Sequence, residues 1–170
     1  MTGETVELPD MLKCRERRAA IQHEMIKKYH CAIISFCMNI PGPVKTNPDI
    51  RCAFEAGKQD IDEMIRSSGW QVCDEKCIHE KTGDEAILAV NADPAEIKKK
   101  TTRIEETHPV GRLFDIDVLD SNGQKLSRGT WRKCIICGRK AQDCASRRIH
   151  SVREMQDKVD EIINNWKSSK

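Results

Sequence analysis

Aromatic side chains are scarce. Phe, Tyr and Trp make up 4% of the 170 residues, which leaves little to stack on nucleic-acid bases. A charge of one sign is missing as well: 29 Lys and Arg stand against 27 Asp and Glu, a net +2 at pH 7. Such a balance supplies no global field to draw the chain to nucleic acid or to an anionic membrane surface. No apolar run approaches the roughly 20 residues that cross a bilayer. The stretch MTGETVELPDMLKCRER has no apolar signal-peptide core. Internal repeats and low-complexity linkers are lacking too. The expectation is a cytoplasmic protein of one domain, residues 1–170, long enough to bury a proper core. Nine cysteines are an odd number for a reducing compartment, where thiols serve as small buried hydrophobes or metal ligands rather than disulfides.

What is present reads as alternating elements. Asp10 is a cap for a first helix reaching Tyr29. CAIISFCMNI (Cys31–Ile40) is a buried-strand run stopped by Pro41-Gly42-Pro43. Asn47-Pro48 opens a helix with Ile50, Phe54, Gly57, Ile61, Met64 and Ile65 at helical spacing, ended by Gly69. Trp70–Ile78 and Glu85–Val90 read as strands joined through Lys81-Thr82-Gly83-Asp84. Asp93-Pro94 with Glu96 opens another helix, with Ile97, Thr101 and Ile104 on one side. The order after the first helix is β-α-β-β-α-β, which predicts an α+β fold with a ferredoxin-like core over about residues 30–128. A basic, Cys-rich extension, 129–170, follows. It ends in a helix with a Ser151/Glu154 capping box and the stripe Val152, Met155, Val159, Ile162, Ile163 and Trp166.

The chemistry concentrates after Thr107. Strand alternation sends Phe114, Ile116 and Val118 to the core and leaves Asp115 and Asp117 on the other face, about 6.6 Å apart at Cα. Two such carboxylates suit one Mg²⁺ or a metal pair beside a polyphosphate. An edge strand whose exposed face simply carries charge accounts for the triplet equally well. Gly111 allows close backbone approach, and Arg112 offers a phosphate-matching fork. Ser127-Arg128 returns after the turn Asp120-Ser121-Asn122-Gly123, as on a hairpin partner. Acids bordered by arginines suit phosphoryl or nucleotidyl transfer better than hydrolysis of a neutral substrate. Between Arg128 and Arg153, moreover, the only acidic residue among many Arg and Lys is Asp143, a local anion site in a nearly neutral chain.

HPVGRLFDIDV (His108–Val118), LSR (Leu126–Arg128) and KCIICGRKAQDCASRRIHS (Lys133–Ser151) closely resemble holo-citrate lyase synthase. This is the apo-citrate lyase phosphoribosyl-dephospho-CoA transferase, or CitX, family. PGPVK (Pro41–Lys45) and RERRAAIQ (Arg15–Gln22) extend the resemblance over nearly the full length, in the same order. The resemblance implies 2'-(5''-triphosphoribosyl)-3'-dephospho-CoA as donor and the citrate lyase acyl carrier (gamma) subunit as acceptor. A carrier serine attacks the donor's innermost phosphorus and diphosphate leaves. The equivalent transferase of malonate decarboxylase also relies on paired aspartates, which implies that role for Asp115 and Asp117.

On this reading the enzyme needs no nucleophile of its own. Asp115 and Asp117 hold Mg²⁺, and one of them serves as base. His108 is the other candidate base, or else only closes the turn before Pro109. Lys45, Arg112 and Arg128 are assigned to donor phosphates; Lys45 lies on a stiff loop leading to a helix N-terminus, or else is an ordinary solvated lysine. The roles of Arg15, Glu16, Arg17 and Gln22 stay open. Cys134-x2-Cys137-x6-Cys144-x5-His150 has the donor set of a structural Zn²⁺ site. The alternative packs Cys134, Ile135, Ile136 and Cys137 into the core and leaves Arg147 and Arg148 to bind phosphate or an acidic partner. A redox CxxC lacks thioredoxin-like context. Lys98-Lys99-Lys100 with Arg103 forms a solvated helix face that would complement an acidic carrier. Two other functions compete: a different metal-dependent nucleotidyltransferase using the same aspartates, and a non-enzymatic zinc module that binds protein.

Overall fold

Helix α1 (Leu8–Tyr29) starts two residues upstream of Asp10, with Pro9 in its first turn. The proline presets helical φ, so Asp10 lies inside that turn rather than capping it. Its carboxylate instead pairs with Lys81 at 2.8 Å. Strand β1 (Ala32–Met38) runs into the Pro-Gly-Pro bend, and α2 (Pro48–Ser67) follows. Asn47 caps α2 by accepting the Ile50 amide at 2.8 Å. Strands β2 (Gln71–Glu80) and β3 (Gly83–Asn91) form a hairpin in which Glu80 pairs with Gly83 around Lys81-Thr82. Helix α3 (Pro94–Thr107), capped by Asp93, leads through a short 3-10 turn (Gly111–Leu113) into β4 (Phe114–Leu119). A largely irregular segment holding α4 (Ala141–Ser146) precedes α5 (Val152–Ser168), whose Ser151/Glu154 capping box forms as expected. The computed structural model describes residues 1–169.

The four strands make one antiparallel sheet in the order β2-β3-β1-β4. One face carries Phe36, Leu88, Phe114, Ile116 and Val118 against Phe54 and Ile61 of α2, Ile97 of α3, and Val159, Ile163 and Trp166 of α5. The C-terminal helix therefore shares the main core, although Val152, expected in its apolar stripe, is exposed. On the opposite face α1 lies across the sheet, packing Met25 against Ile33, Ile87 and Ala89. None of the described helices is long and apolar enough to cross a membrane.

Because β4 is an edge strand, its outward backbone groups need partners. Side chains supply most of them. Glu105 of α3, itself buried, accepts the Ile116 amide at 3.0 Å, and Lys98 donates to the Ile116 carbonyl at 2.8 Å. Arg132 donates to the Phe114 carbonyl, and the Leu126 amide to that of Val118 at 2.8 Å. Lys98 thus leaves the solvated helix face expected for the Lys98–Lys100 tract. The expected return strand at Ser127-Arg128 reduces to one bridge, Leu119 with Lys125.

Candidate functional site

Strand alternation holds in β4: Phe114, Ile116 and Val118 are fully buried, and Asp115 and Asp117 share the face turned away from that core. Register sets their neighbours. Glu85, Cys37 and Asp115 form a row across β3, β1 and β4, and Ile87, Ser35 and Asp117 form the next. Burial pushes the Cys37 thiol up to about 12, partly relieved by Arg18 and reinforced by Asp115, Glu85 and Asp117. Three carboxylates therefore act on one point of the sheet.

Helix α1 brings cations over this row. Arg18 bonds to the buried Glu85, and Arg17 reaches Glu85 at 3.3 Å and Glu80 at 2.5 Å. Gln22 donates to Ser35 at 2.9 Å. The Arg15–Gln22 stretch, left open in the sequence, thus lies on the aspartate face. A cavity of about 150 Å³ opens there, lined by Arg15, Arg18, Cys37, Lys45, Glu85 and Asp115 among others. Lys45 donates to the Ile40 carbonyl at 2.7 Å, and burial followed by Arg15 depresses its pKa. Its loop is anchored one residue on. Thr46 donates to the buried Asp84 at 2.9 Å, where Arg51 (3.1 Å) and His79 (2.8 Å) also converge. Asp117 does not line this cavity; Lys125 pairs with it at 2.7 Å.

A second cavity, about 490 Å³, shares Asn39 with the first. Arg112, Arg132 and Arg148 line it together with Leu113, Ile135 and Met155. Arg132 joins the two spaces, standing 3.5 Å from Asp115 and 3.6 Å from Glu105. The Arg112 pKa is lowered by burial and then by Arg132 and Arg128, so positive charge is concentrated here. The bend shapes one wall. Gly42 takes φ +83, a left-handed conformation that favours glycine, and a Cβ there would also fall 2.9 Å from Val152 of α5.

Other expected site residues are placed elsewhere. His108 caps the C-terminus of α3, its Nδ1 accepts the Val110 amide at 3.1 Å, and its ring packs 4.9 Å from that of Phe114 and 5.9 Å from that of Trp166. Those are core-face contacts, on the side of the sheet away from the aspartates. Gly111 does permit a close approach, but to α3: an added Cβ would meet the Glu105 carbonyl at 2.6 Å. Arg128 pairs with Glu105 at 3.5 Å and Glu106 at 3.0 Å. With Ser127, Lys99 and Arg103 it lines a separate groove of about 470 Å³. Arg147 is exposed and lines neither cavity. Glu85, Arg18, Glu105 and Arg132 escaped the sequence reading, because cross-strand register and helix-to-edge contacts join residues far apart in the chain.

The cysteine cluster borders the larger cavity through Cys134, Cys144 and His150. Cys134 is buried and Ile135 packs against the core, whereas Ile136 is only half-buried and Cys137 exposed, so the core-packing alternative is met for the first half of Cys134–Cys137 and not for the second. The site as a whole pairs oxygen ligands suited to a hard divalent cation with a basic, two-chambered space suited to a polyphosphate.

Residues 6–166 match the CitX family, described as apo-citrate lyase phosphoribosyl-dephospho-CoA transferase. The chain is 35% identical over 167 residues to a probable apo-citrate lyase phosphoribosyl-dephospho-CoA transferase of Vibrio cholerae serotype O1 (strain M66-2), covering 95% of this chain and 94% of that one. It is 31% identical over 163 residues to the apo-citrate lyase phosphoribosyl-dephospho-CoA transferase of Escherichia coli O157:H7 (strain EC4115 / EHEC), covering 94% and 89%.

Proposed function

Because the chain belongs to the apo-citrate lyase phosphoribosyl-dephospho-CoA transferase family, we propose that it transfers the phosphoribosyl-dephospho-CoA prosthetic group to apo-citrate lyase. The donor is 2'-(5''-triphosphoribosyl)-3'-dephospho-CoA and the acceptor a serine of the acyl carrier (gamma) subunit. One observation carries the assignment of the site: Asp115 lines the small cationic cavity and pairs with Arg132 of the large one. The large cavity has the volume of a small-molecule pocket, typically about 300–1,000 Å³. Its apolar wall and three arginines suit the dephospho-CoA portion, while the smaller chamber with Arg15, Arg18 and Lys45 suits the triphosphate.

Asp115 and Asp117 would hold Mg²⁺. The residues fit: both are carboxylates on one strand face, Asp115 lines the smaller cavity, and the Asp117–Lys125 pair is exposed enough to yield, being worth about 0–1 kcal/mol. When bound, Mg²⁺ neutralises charge on the diphosphate that leaves. The chain's own groups do the rest. Lys45, Arg15 and Arg18 orient the phosphates; Arg112, Arg132 and Arg148 hold the other end. The carrier's serine oxygen bonds to the innermost phosphorus as the bond from that phosphorus to diphosphate breaks. The hydroxyl proton passes to a carboxylate of the Asp115/Asp117 pair. His108, on the other face of the sheet, has no part in this scheme.

The same reading assigns the β2-β3-β1-β4 order, with α2 and α3 on one face, to the ferredoxin-like class, and takes the chain as one transferase domain. The carrier docks along the basic groove of Lys99, Arg103 and Arg128 at the β4 edge. The test is the mass of apo-carrier after incubation with enzyme, Mg²⁺ and donor. A gain equal to the donor less diphosphate supports the assignment. Equal use of an ordinary nucleoside triphosphate would favour a general nucleotidyltransferase instead.

A further inference from the structure

The segment between β4 and α5 is poorly provided with ordinary stabilisation. Its only helix is the six-residue α4, and between Leu119 and Ser151 the only buried apolar side chains are Cys134 and Cys144. So little apolar burial does not hold a chain of that length against its conformational entropy. Something else must fix it.

The ligand atoms of Cys134, Cys137, Cys144 and His150 all lie within 4.8 Å of one another, with the Cys137 and Cys144 sulfurs 3.5 Å apart. A tetrahedral ion with Zn–S bonds of about 2.3 Å spaces its sulfurs about 3.8 Å apart, so the cluster already has the required size. The backbone is folded for it. The Gly138 amide donates to the Cys134 carbonyl at 3.0 Å, Gly138 takes φ 73, and Lys133 and Lys140 pair across the turn. His150 Nε2 is buried without a hydrogen-bond partner among the described residues. A disulfide between Cys137 and Cys144 would leave Cys134 and His150 unexplained.

We propose that Cys134, Cys137, Cys144 and His150 bind one structural Zn²⁺, which fixes the wall of the larger cavity. Three soft thiolates and an imidazole select zinc over the hard cation suited to Asp115 and Asp117. The filled site carries a single net negative charge, which the adjoining Arg and Lys offset. Its reach extends to the catalytic strand through Arg132. The Arg132 carbonyl accepts the Ala141 amide at 2.8 Å, at the start of α4, and its guanidinium stands 3.5 Å from Asp115. This coupling, unlike the site itself, rests on reading that cavity as the donor's.

Metal analysis of the full chain, purified without chelator, tests the site independently of transfer. One zinc per chain is expected, with loss of at least nine-tenths of it in Cys137→Ser and in His150→Ala, and retention in Cys77→Ser, an exposed thiol of β2. Cobalt should replace zinc with thiolate-to-cobalt charge-transfer bands that weaken in Cys137→Ser. In the wild-type chain, a chelator should speed proteolysis within residues 129–150, a readout that needs no variant to fold. Absence of stoichiometric zinc even after its addition would overturn the site. So would full zinc in both variants, or a chain two hydrogens lighter with Cys137 joined to Cys144. For the coupling, zinc removal should raise the donor KM several-fold. Stoichiometric zinc with an unchanged donor KM would overturn the coupling alone.

Discussion

Replacing Glu105 by alanine removes, in one step, the acceptor for the Ile116 amide and the carboxylate facing Arg128 and Arg132. Glu105 is 4% exposed, so water cannot take its place at the amide, and two largely buried guanidinium groups lose a counter-charge. Breaking a buried pair by deleting one partner typically costs about 3–5 kcal/mol. For a chain of this size each kcal/mol moves the midpoint by roughly 2–4 °C, so a fall of about 10 °C is expected. Glu105→Gln keeps the amide's acceptor and loses only the charge, and should cost less, about 1–3 kcal/mol. Urea denaturation of wild type, Glu105→Gln and Glu105→Ala would rank the three. An alanine variant within 1 kcal/mol of wild type, or a glutamine variant no better than alanine, would refute the claim that α3 pins the strand bearing the aspartates.

Lys45→Ala should raise the donor KM about tenfold with a smaller effect on kcat, as expected for loss of one charged phosphate contact. Burial and then Arg15 depress Lys45 below its usual 10.5, so its positive charge is lost at lower pH than that of a free lysine. Donor KM should therefore climb as pH is raised for wild type, and the Lys45→Ala profile should lack that rise. Gly57→Ala would set a Cβ 2.7 Å from both Phe36 and Phe114, and should destabilise the chain by about 1–3 kcal/mol in a denaturant titration. Lys99→Glu with Arg103→Glu should slow carrier modification at low salt and leave donor KM unchanged. The difference should shrink as ionic strength rises.

Local patterns were legible in the chain, and long-range ones were not. The apolar stripe of α2, the Asn47, Asp93 and Ser151 caps and the alternation of β4 each depend on residues a few positions apart, and each forms. Pro9 moved the start of α1 because a fixed φ outweighs a side-chain cap one residue later. Lys98 reads as solvated from its lysine neighbours, yet an unpaired carbonyl on β4 draws it in. His108 and Gly111 sit beside the aspartates in sequence, but the pleat and the 3-10 turn send them to the core and to α3. Glu85 joins the aspartate row only through β1–β3 register, which no short motif encodes.

The proposed transfer turns on Asp115 and Asp117 holding a divalent cation against the donor's phosphates. Single-turnover transfer to apo-carrier, followed while Mg²⁺ is titrated, tests it most directly in wild type, Asp115→Asn and Asp117→Asn. Wild type should depend on the cation. Asp115→Asn should lose at least about 10²-fold in rate while unfolding at a similar denaturant concentration, because a half-exposed strand carboxylate adds little to the core. Transfer by Asp115→Asn at close to the wild-type rate, or full wild-type activity in excess chelator, would contradict the account.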